Sequence, residues 1–517
     1  MKSSFWPAGV FAAALILRLA LTCAYLTTAG SDRNLQALAG MSLLEHQGLT
    51  LPEADPQDVS ALTRQALMGW PAGYSLLFAA ARALGLPVWT AVWLIEIAGV
   101  LLVFGGLWTF ARQMLQKNAQ LWLFTCALLS FSPLHYTSVT DEYALGLFLM
   151  GLSCFQGPDS KRRSFFGLLL IGCAAWMRFA YWPLMLTPVW VWALQSLRPE
   201  GKKSLSWLMA GLIVAILTLA SYSLFSTPGF RDENVVSARP GLAEWHVENL
   251  LMHDAFPIKA FLYTSIDALA AKSAVPAVGI MLLKGVFILI SAGILLPLLL
   301  RYIKGAHFLK NDLLTWGVPV LLLCWASLLY FSLVNAPVYH DGRDIWTFVG
   351  ETRYFAPAMI IVQLFVCQVV ANKEDALSRV FGIGLILFLL LAAGHSALRI
   401  RQLLAGSTHE TRFSEKDQLF QEVFRYSEEA KGQGQEVCFV AGNLIAEEEM
   451  RSIAALGGAH PLRMELACAE GLSASTEMVV IVYVPENEPL CEHLQSMSWQ
   501  EIYHTSAGRL LQARLLP

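Results

Sequence analysis

Five charged side chains stand at the ends of apolar runs, where charge is costly and usually has a partner or a task. Asp32 follows the first run, in "TTAGSDRNLQALAG". Asp141 and Glu142 sit in "HYTSVTDEYALG", Arg178 in "WMRFAYWP", and Arg353 in "ETRYFAP". The residue types suggest complementary chemistry. A carboxylate can take a proton as a general base or hold a cation. An arginine binds phosphate through charge-assisted hydrogen bonds, often two at once. Acids and arginines together suit a donor whose leaving group is a phosphate. The base takes the proton of an acceptor hydroxyl while positive charge receives the departing phosphate.

The elements that must carry these residues are helices in a bilayer. The chain has 517 residues, 56% hydrophobic and 15% charged, where a soluble domain carries about 25% charged residues. Apolar runs of about 18 or more residues recur along it, so the reading is a polytopic membrane protein. Sixteen Trp and fourteen Tyr suit interfacial belts. The net charge of −3 gives no basic surface for nucleic acid. Nine Cys show no metal-type spacing, and the six in apolar runs read as small hydrophobes. The first run, "FWPAGVFAAALILRLALTCAYL", is long enough to span and lacks a clear cleavage site before Asp32, so it reads as a true span.

Spans are expected at roughly 5–27, 88–111, 119–137, 142–156, 164–179, 181–197, 205–226, 278–301, 312–333, 352–371 and 378–397, about eleven in all. A shorter run at about 72–84 reads as an interfacial helix. Basic residues fall in every second short loop: Arg112 and Lys117; Lys161, Arg162 and Arg163; Arg198, Lys202 and Lys203; Arg301, Lys304 and Lys310; Lys373 and Arg379. That alternation places the N-terminus in the cytoplasm. The other side then receives the long loops at about 28–90 and 226–275, and all five charged side chains fall there.

Beyond residue 400 charge returns and long apolar runs cease. "EVCFVAG" and "MVVIVYV" read as buried strands, with a helical "AEEEMRSIAAL" between them. The division is therefore a transmembrane domain over 1–400 and a small extracytoplasmic α/β domain over 401–517. Neither a GxGxxG nor a P-loop suggests a nucleotide. Cys438, Cys468 and Cys491 lie in that outer domain, where one pair is expected to be bridged.

The order of these motifs resembles the glycosyltransferase-C superfamily, above all the branch of protein O-mannosyltransferases and bacterial aminoarabinose transferases. Asp32 with "RNLQALAG" is similar to the acid that family carries after its first span. The family's second acidic position holds Arg33, and its usual Tyr is Gln36. "GWPAGYSLLFA" resembles the Pro-rich entry to the next span, and "SPLHYTSVTDEYALGLFL" the segment with a later acid. "AAWMRFAYWPLM" resembles the segment with a basic residue after the fifth span, and "ETRYFAPAMI", with Arg353 and Tyr354, the Arg-Tyr motif of a late span. The resemblance covers roughly residues 5–400.

It implies a polyprenyl- or dolichyl-phosphate sugar as donor and a hydroxyl acceptor on a protein, lipid or glycan. Transfer takes place on the non-cytoplasmic face, with inversion. Asp32 stands where the base is expected and Asp141 where it is assisted. Arg178 and Arg353 stand where the donor phosphate is held, with Glu142, Tyr354 and His246 as further substrate contacts. The cofactor stays open: the acids allow a divalent metal, and nothing in the sequence requires one. An inner (plasma) membrane location fits. Three other classes compete, a non-catalytic scaffold with a C-terminal binding domain among them. A transporter or flippase of a lipid-linked anion would also use acids and arginines, but would carry internal repeats and charges at mid-membrane. An O-antigen polymerase or ligase would not need Asp32.

The topology is directly testable. A reporter fused after Pro517 is expected to behave as non-cytoplasmic, and a cytoplasmic signal would mean that one span is miscounted.

Overall fold

The computed structural model describes residues 5–24, 31–67, 71–130, 139–155, 161–196, 282, 312–334, 338–340, 344–346, 356–371, 376–404, 415–442, 445–486, 488–506 and 508–517. These fall into two compact units. The first holds the described residues of Met1–Leu19, Ala98–Tyr222 and Arg231–Leu398; the second holds those of Ala20–Ile97 and Arg399–Pro517.

The first unit is helical apart from a short antiparallel hairpin, β3 (Val338–His340) with β4 (Asp344–Trp346). It draws on α1 (Phe5–Ala24), α4 (Val88–Met114), α5 (Lys117–Leu129), α6 (Val139–Cys154), α7 (Lys161–Met177), α8 (Leu186–Ser196), α9 (Asp312–Val334), α10 (Ala356–Ala371) and α11 (Ala376–Leu404). Each expected span within the described residues is matched by a helix; those at 205–226 and 278–301 lie outside them. Among the described residues, α1 and α4 are long and apolar enough to cross a membrane. The 27 residues of α4 reach about 40 Å, beyond the roughly 30 Å hydrocarbon core. By contrast α5, α6, α7 and α8 have 13, 16, 17 and 11 residues, short of the usual requirement of about 20.

Glycines decide how these helices pack. A Cβ on Gly106 of α4 would meet the carbonyl oxygen of Gly146 in α6 at 2.6 Å, and one on Gly151 would meet the Gly167 carbonyl of α7 at 2.8 Å. Only a bare Cα permits such an approach, and small residues at helix crossings are the usual device in lipid, where the hydrophobic effect cannot drive association. Phe11 of α1 closes the same group, with ring centroids 4.6 Å from Trp108 and 5.0 Å from Phe124. Ten consecutive residues of α10, Ala356 to Phe365, are buried, as a helix apolar on all sides must be.

The second unit is α/β. Its sheet runs β6-β5-β7-β9-β8, with β5 (Glu436–Ala441), β6 (His460–Arg463), β7 (Met478–Pro485), β8 (Gln500–Thr505) and β9 (Gly508–Leu515). β6, β5 and β7 are parallel, and β9 and β8 continue antiparallel. The runs "EVCFVAG" and "MVVIVYV" are β5 and β7. Both are continuously apolar because helices cover parallel strands. "AEEEMRSIAAL" is α13 (Ile445–Leu456), which carries the chain from β5 to β6. α12 (Glu415–Gly432) buries Leu419, Phe420, Val423 and Phe424.

The unit also takes in part of the first long loop, which the sequence reading assigned to the 1–400 domain. This part consists of α2 (Ser31–Leu44), β1 (Thr50–Asp55), β2 (Asp58–Ala66) and α3 (Gly73–Ala83). α3 covers the run at about 72–84 that the sequence marks as helical. The β1–β2 hairpin turns at Asp55-Pro56-Gln57-Asp58, where Asp55 accepts from the Gln57 N–H at 2.9 Å, an Asx turn. Its ties to the tail are specific. Arg463 donates to Glu53 through Nε at 2.5 Å and through a terminal nitrogen at 3.3 Å. The Val59 N–H donates to the Ser473 carbonyl at 2.9 Å, and Ser475 N–H donates to Asp58 at 3.1 Å. The Ser60 hydroxyl beside Asp58, then Ser475, holds that carboxyl below its ordinary pKa.

Cys468, in α14 (Met464–Glu470), is bonded to Cys491, with their Cα atoms 5.8 Å apart. Cys438 is wholly buried in β5, and burial pushes its thiol up to about 12. Thiol labelling of the denatured, unreduced chain is expected to leave Cys468 and Cys491 unmodified and to label Cys438. Labelling of all three would contradict the bridge.

Candidate functional site

Asp32 lies in the first turn of α2. The helix starts one residue earlier, so Asp32 is not its cap; its carboxylate instead stands where the helix N-terminus favours negative charge. Every residue from Arg33 to Gly40 is buried, whereas Asp32 is half-buried. Small residues allow that depth. A Cβ on Gly40 would meet the Ser75 carbonyl of α3 at 2.6 Å, and Ala37 and Ala39 are fully buried.

Arg33 and Gln36, the two departures from the family pattern, are both explained locally. Arg33 is ion-paired with Glu96 of α4. Burial pulls its pKa down, but Glu96, Tyr74 and Glu449 outweigh that and hold the guanidinium above its ordinary value. Gln36 turns back along the helix and donates to the Asp32 carbonyl at 2.9 Å.

The other candidates lie in the first unit. Asp141 and Glu142 open α6 in its first turn and are 0% and 3% exposed. Arg178 directly follows α7 and is also buried. Its Nε lies 2.9 Å from Asp141 Oδ1, an ion pair by distance without the alignment of a hydrogen bond. The chain after Arg178 turns tightly: the Tyr181 N–H donates to the Arg178 carbonyl at 3.0 Å, and Trp182 Nε1 donates to the Ala175 carbonyl at 2.9 Å. These bonds fix the aromatic surroundings of the arginine. Tyr181 is buried edge-on to Phe148, and its hydroxyl has no hydrogen-bond partner among the described residues. A buried hydroxyl in that state costs about 1–3 kcal/mol.

Glu142 is ion-paired with Arg18 of α1. Sequence reasoning passed over Arg18 because it sits inside a run read as a span. The signal was present: an arginine at membrane depth implies an acid facing it. Gly99 of α4 makes room for that acid, since a Cβ there would come within 3.1 Å of Glu142 Oε2.

The structure thus joins Asp141 to Arg178, places Glu142 with Arg18, and holds Asp32 in the second unit. Arg353, Tyr354 and His246 lie outside the described residues. Among the described residues no group of three or more His, Cys, Asp or Glu is placed to hold a metal ion.

No protein-family model matches the chain, and neither does any curated protein. Two solved structures are similar to it. ArnT from Cupriavidus metallidurans in the apo state is 12% identical, with 98% of this chain and 97% of that one covered at a TM-score of 0.48. The archaeal oligosaccharyltransferase AglB from Archaeoglobus fulgidus, in complex with an inhibitory peptide and a dolichol-phosphate, is 10% identical, with 93% and 69% covered at a TM-score of 0.41. Neither likeness assigns a role to any residue of this chain.

Removing one side of a buried ion pair leaves an uncompensated charge, at a cost of about 3–5 kcal/mol. Arg18→Ala is expected to lower the unfolding midpoint of the detergent-solubilised chain accordingly. Replacing both partners together, as Arg18→Met with Glu142→Met, should recover most of the loss. A single variant as stable as the parent chain would show that the pair is not buried as described.

Proposed function

We propose that the chain is an integral membrane glycosyltransferase. It moves a sugar from a polyprenyl- or dolichyl-phosphate donor to a hydroxyl acceptor on the non-cytoplasmic face. The observation that carries this reading is Asp32: an acid directly beyond a helix of spanning length, half-buried on a helix whose next eight residues are all buried. A carboxylate so placed is held rigidly by its helix and yet reachable by a substrate hydroxyl.

The chemistry follows from the residue types. Asp32 accepts the proton of the acceptor hydroxyl. The acceptor oxygen forms its bond to the anomeric carbon from the face opposite the donor phosphate, and the bond from that carbon to the phosphate oxygen breaks. The lipid phosphate leaves with the electron pair, and the configuration inverts. Arg178 and Arg353 hold that phosphate, because a planar guanidinium matches its oxygens in pairs. Asp141 holds Arg178 in place, and Glu142, Tyr354 and His246 contribute further contacts to substrate. The Tyr181 hydroxyl, without a hydrogen-bond partner among the described residues, supports a polar ligand group near Arg178, since a phosphate oxygen would supply a partner. About eleven spans with a cytoplasmic N-terminus would put residues 401–517 on the same side as the chemistry.

Asp32→Asn keeps the shape and removes the base. It is expected to abolish transfer while the chain stays folded and binds donor. Arg353→Ala should instead weaken donor binding by about 2–5 kcal/mol, and Arg353→Lys should restore part of it because Lys lacks the planar fork. Wild-type transfer by Asp32→Asn would remove Asp32 from catalysis.

A further inference from the structure

A cavity of about 260 Å³ lies within the second unit, where α2, the β1–β2 hairpin, α13 and β6 meet. Its volume is a little below the range of about 300–1,000 Å³ usual for drug-sized ligands, so it suits one small polar group. Leu35 and Leu38 of α2 and Pro52 of β1 give it apolar walls, while Gln65, Arg451 and Arg463 supply polar groups. Those polar groups are ordered. Gln65 Nε2 donates to Glu53 Oε2 at 2.8 Å, and Arg463 grips the same carboxylate through two nitrogens. Apolar walls beside a fixed row of donors and acceptors match a sugar ring, which has a CH face and a hydroxyl edge.

Its place on α2 is informative. Leu35 follows Asp32 by three residues, the spacing that puts two side chains on one helix face. The cavity wall formed by α2 therefore begins about one turn, roughly 5 Å along the axis, from the acid. None of the lining residues belongs to α1, α4 or any other apolar helix of the first unit, so the cavity offers nothing to a polyprenyl tail. We infer that this cavity is the acceptor subsite, and that it takes a sugar residue of a glycan-bearing acceptor rather than the lipid-linked donor. The inference rests on the function proposed above and adds the acceptor's chemical class and location.

Gln65 provides the test because its side chain is exposed at the hairpin surface, where a large residue can be placed without entering the core. The full chain in nanodiscs is supplied with lipid-linked donor from cells lacking the gene, and envelope glycoconjugate from the same cells serves as acceptor. Three quantities are read: acceptor KM, kcat, and release of sugar from the donor to water when acceptor is absent. Gln65→Trp is expected to raise acceptor KM roughly tenfold or more, with kcat and donor hydrolysis unchanged, the pattern for lost acceptor binding. Gln65→Ala should give a smaller rise of the same kind. An unchanged KM in folded Gln65→Trp would overturn the inference. So would a joint fall in kcat and donor hydrolysis, which would mean that the hairpin only positions α2. If the unsubstituted chain turned over no donor with either water or acceptor, the proposed function itself would fail, and this inference with it.

Discussion

A charge moved from water into an apolar interior costs several kcal/mol unless an opposite charge meets it there, and the polar part of this chain is arranged around that requirement. Arg18 faces Glu142 and Arg178 faces Asp141 in the first unit, while Arg33 faces Glu96 in the second. In each case the partners come from different parts of the fold, so each pair ties two elements together as well as satisfying a charge. The glycines serve the same end. Gly99 leaves space for Glu142, and Gly106 and Gly146 let α4 and α6 approach closely. Van der Waals packing alone would tolerate several registers between such helices. Buried charge tolerates far fewer.

The same constraint accounts for three of the buried or half-buried acids. Glu142 and Glu96 each sit against an arginine, and Asp141 lies against Arg178. Asp32 stands at the half-buried start of a helix whose next eight residues are buried. Its neighbour Arg33 is directed to Glu96. In the reading proposed here, α2 is therefore a rigid mount for one accessible acid, stabilised by α3 on one side and by α13 and the hairpin on the other.

Legibility in the sequence followed the range of the interactions. Apolar length located the helices, because a run of apolar residues is a local property. The strands β5 and β7 and the helix α13 were readable for the same reason. Arg18 was missed although its charge was visible, since its partner is 124 residues away. The β1–β2 hairpin was missed because its short strands lack strong alternation and it is tied to Arg463, 410 residues further on. That tie also explains why α2 groups with the tail rather than with the helix preceding it. Arg33 looked like a defect in a family pattern until Glu96 gave it a partner. The pairing of Cys468 with Cys491, rather than with Cys438, likewise depended on where the sheet placed each thiol.

The account turns on the breaking of a donor's sugar–phosphate bond by this chain itself, and one reaction addresses that. The purified full-length protein in nanodiscs, which have no enclosed compartments, is given lipid-linked donor and acceptor glycoconjugate from cells lacking the gene. Mass spectrometry then follows both substrates. The account predicts that free polyprenyl phosphate appears and that the acceptor gains the mass of one sugar in equal amount. Intact donor and unmodified acceptor, from protein that still binds the donor, would contradict it and would favour a transporter that moves the lipid without altering it.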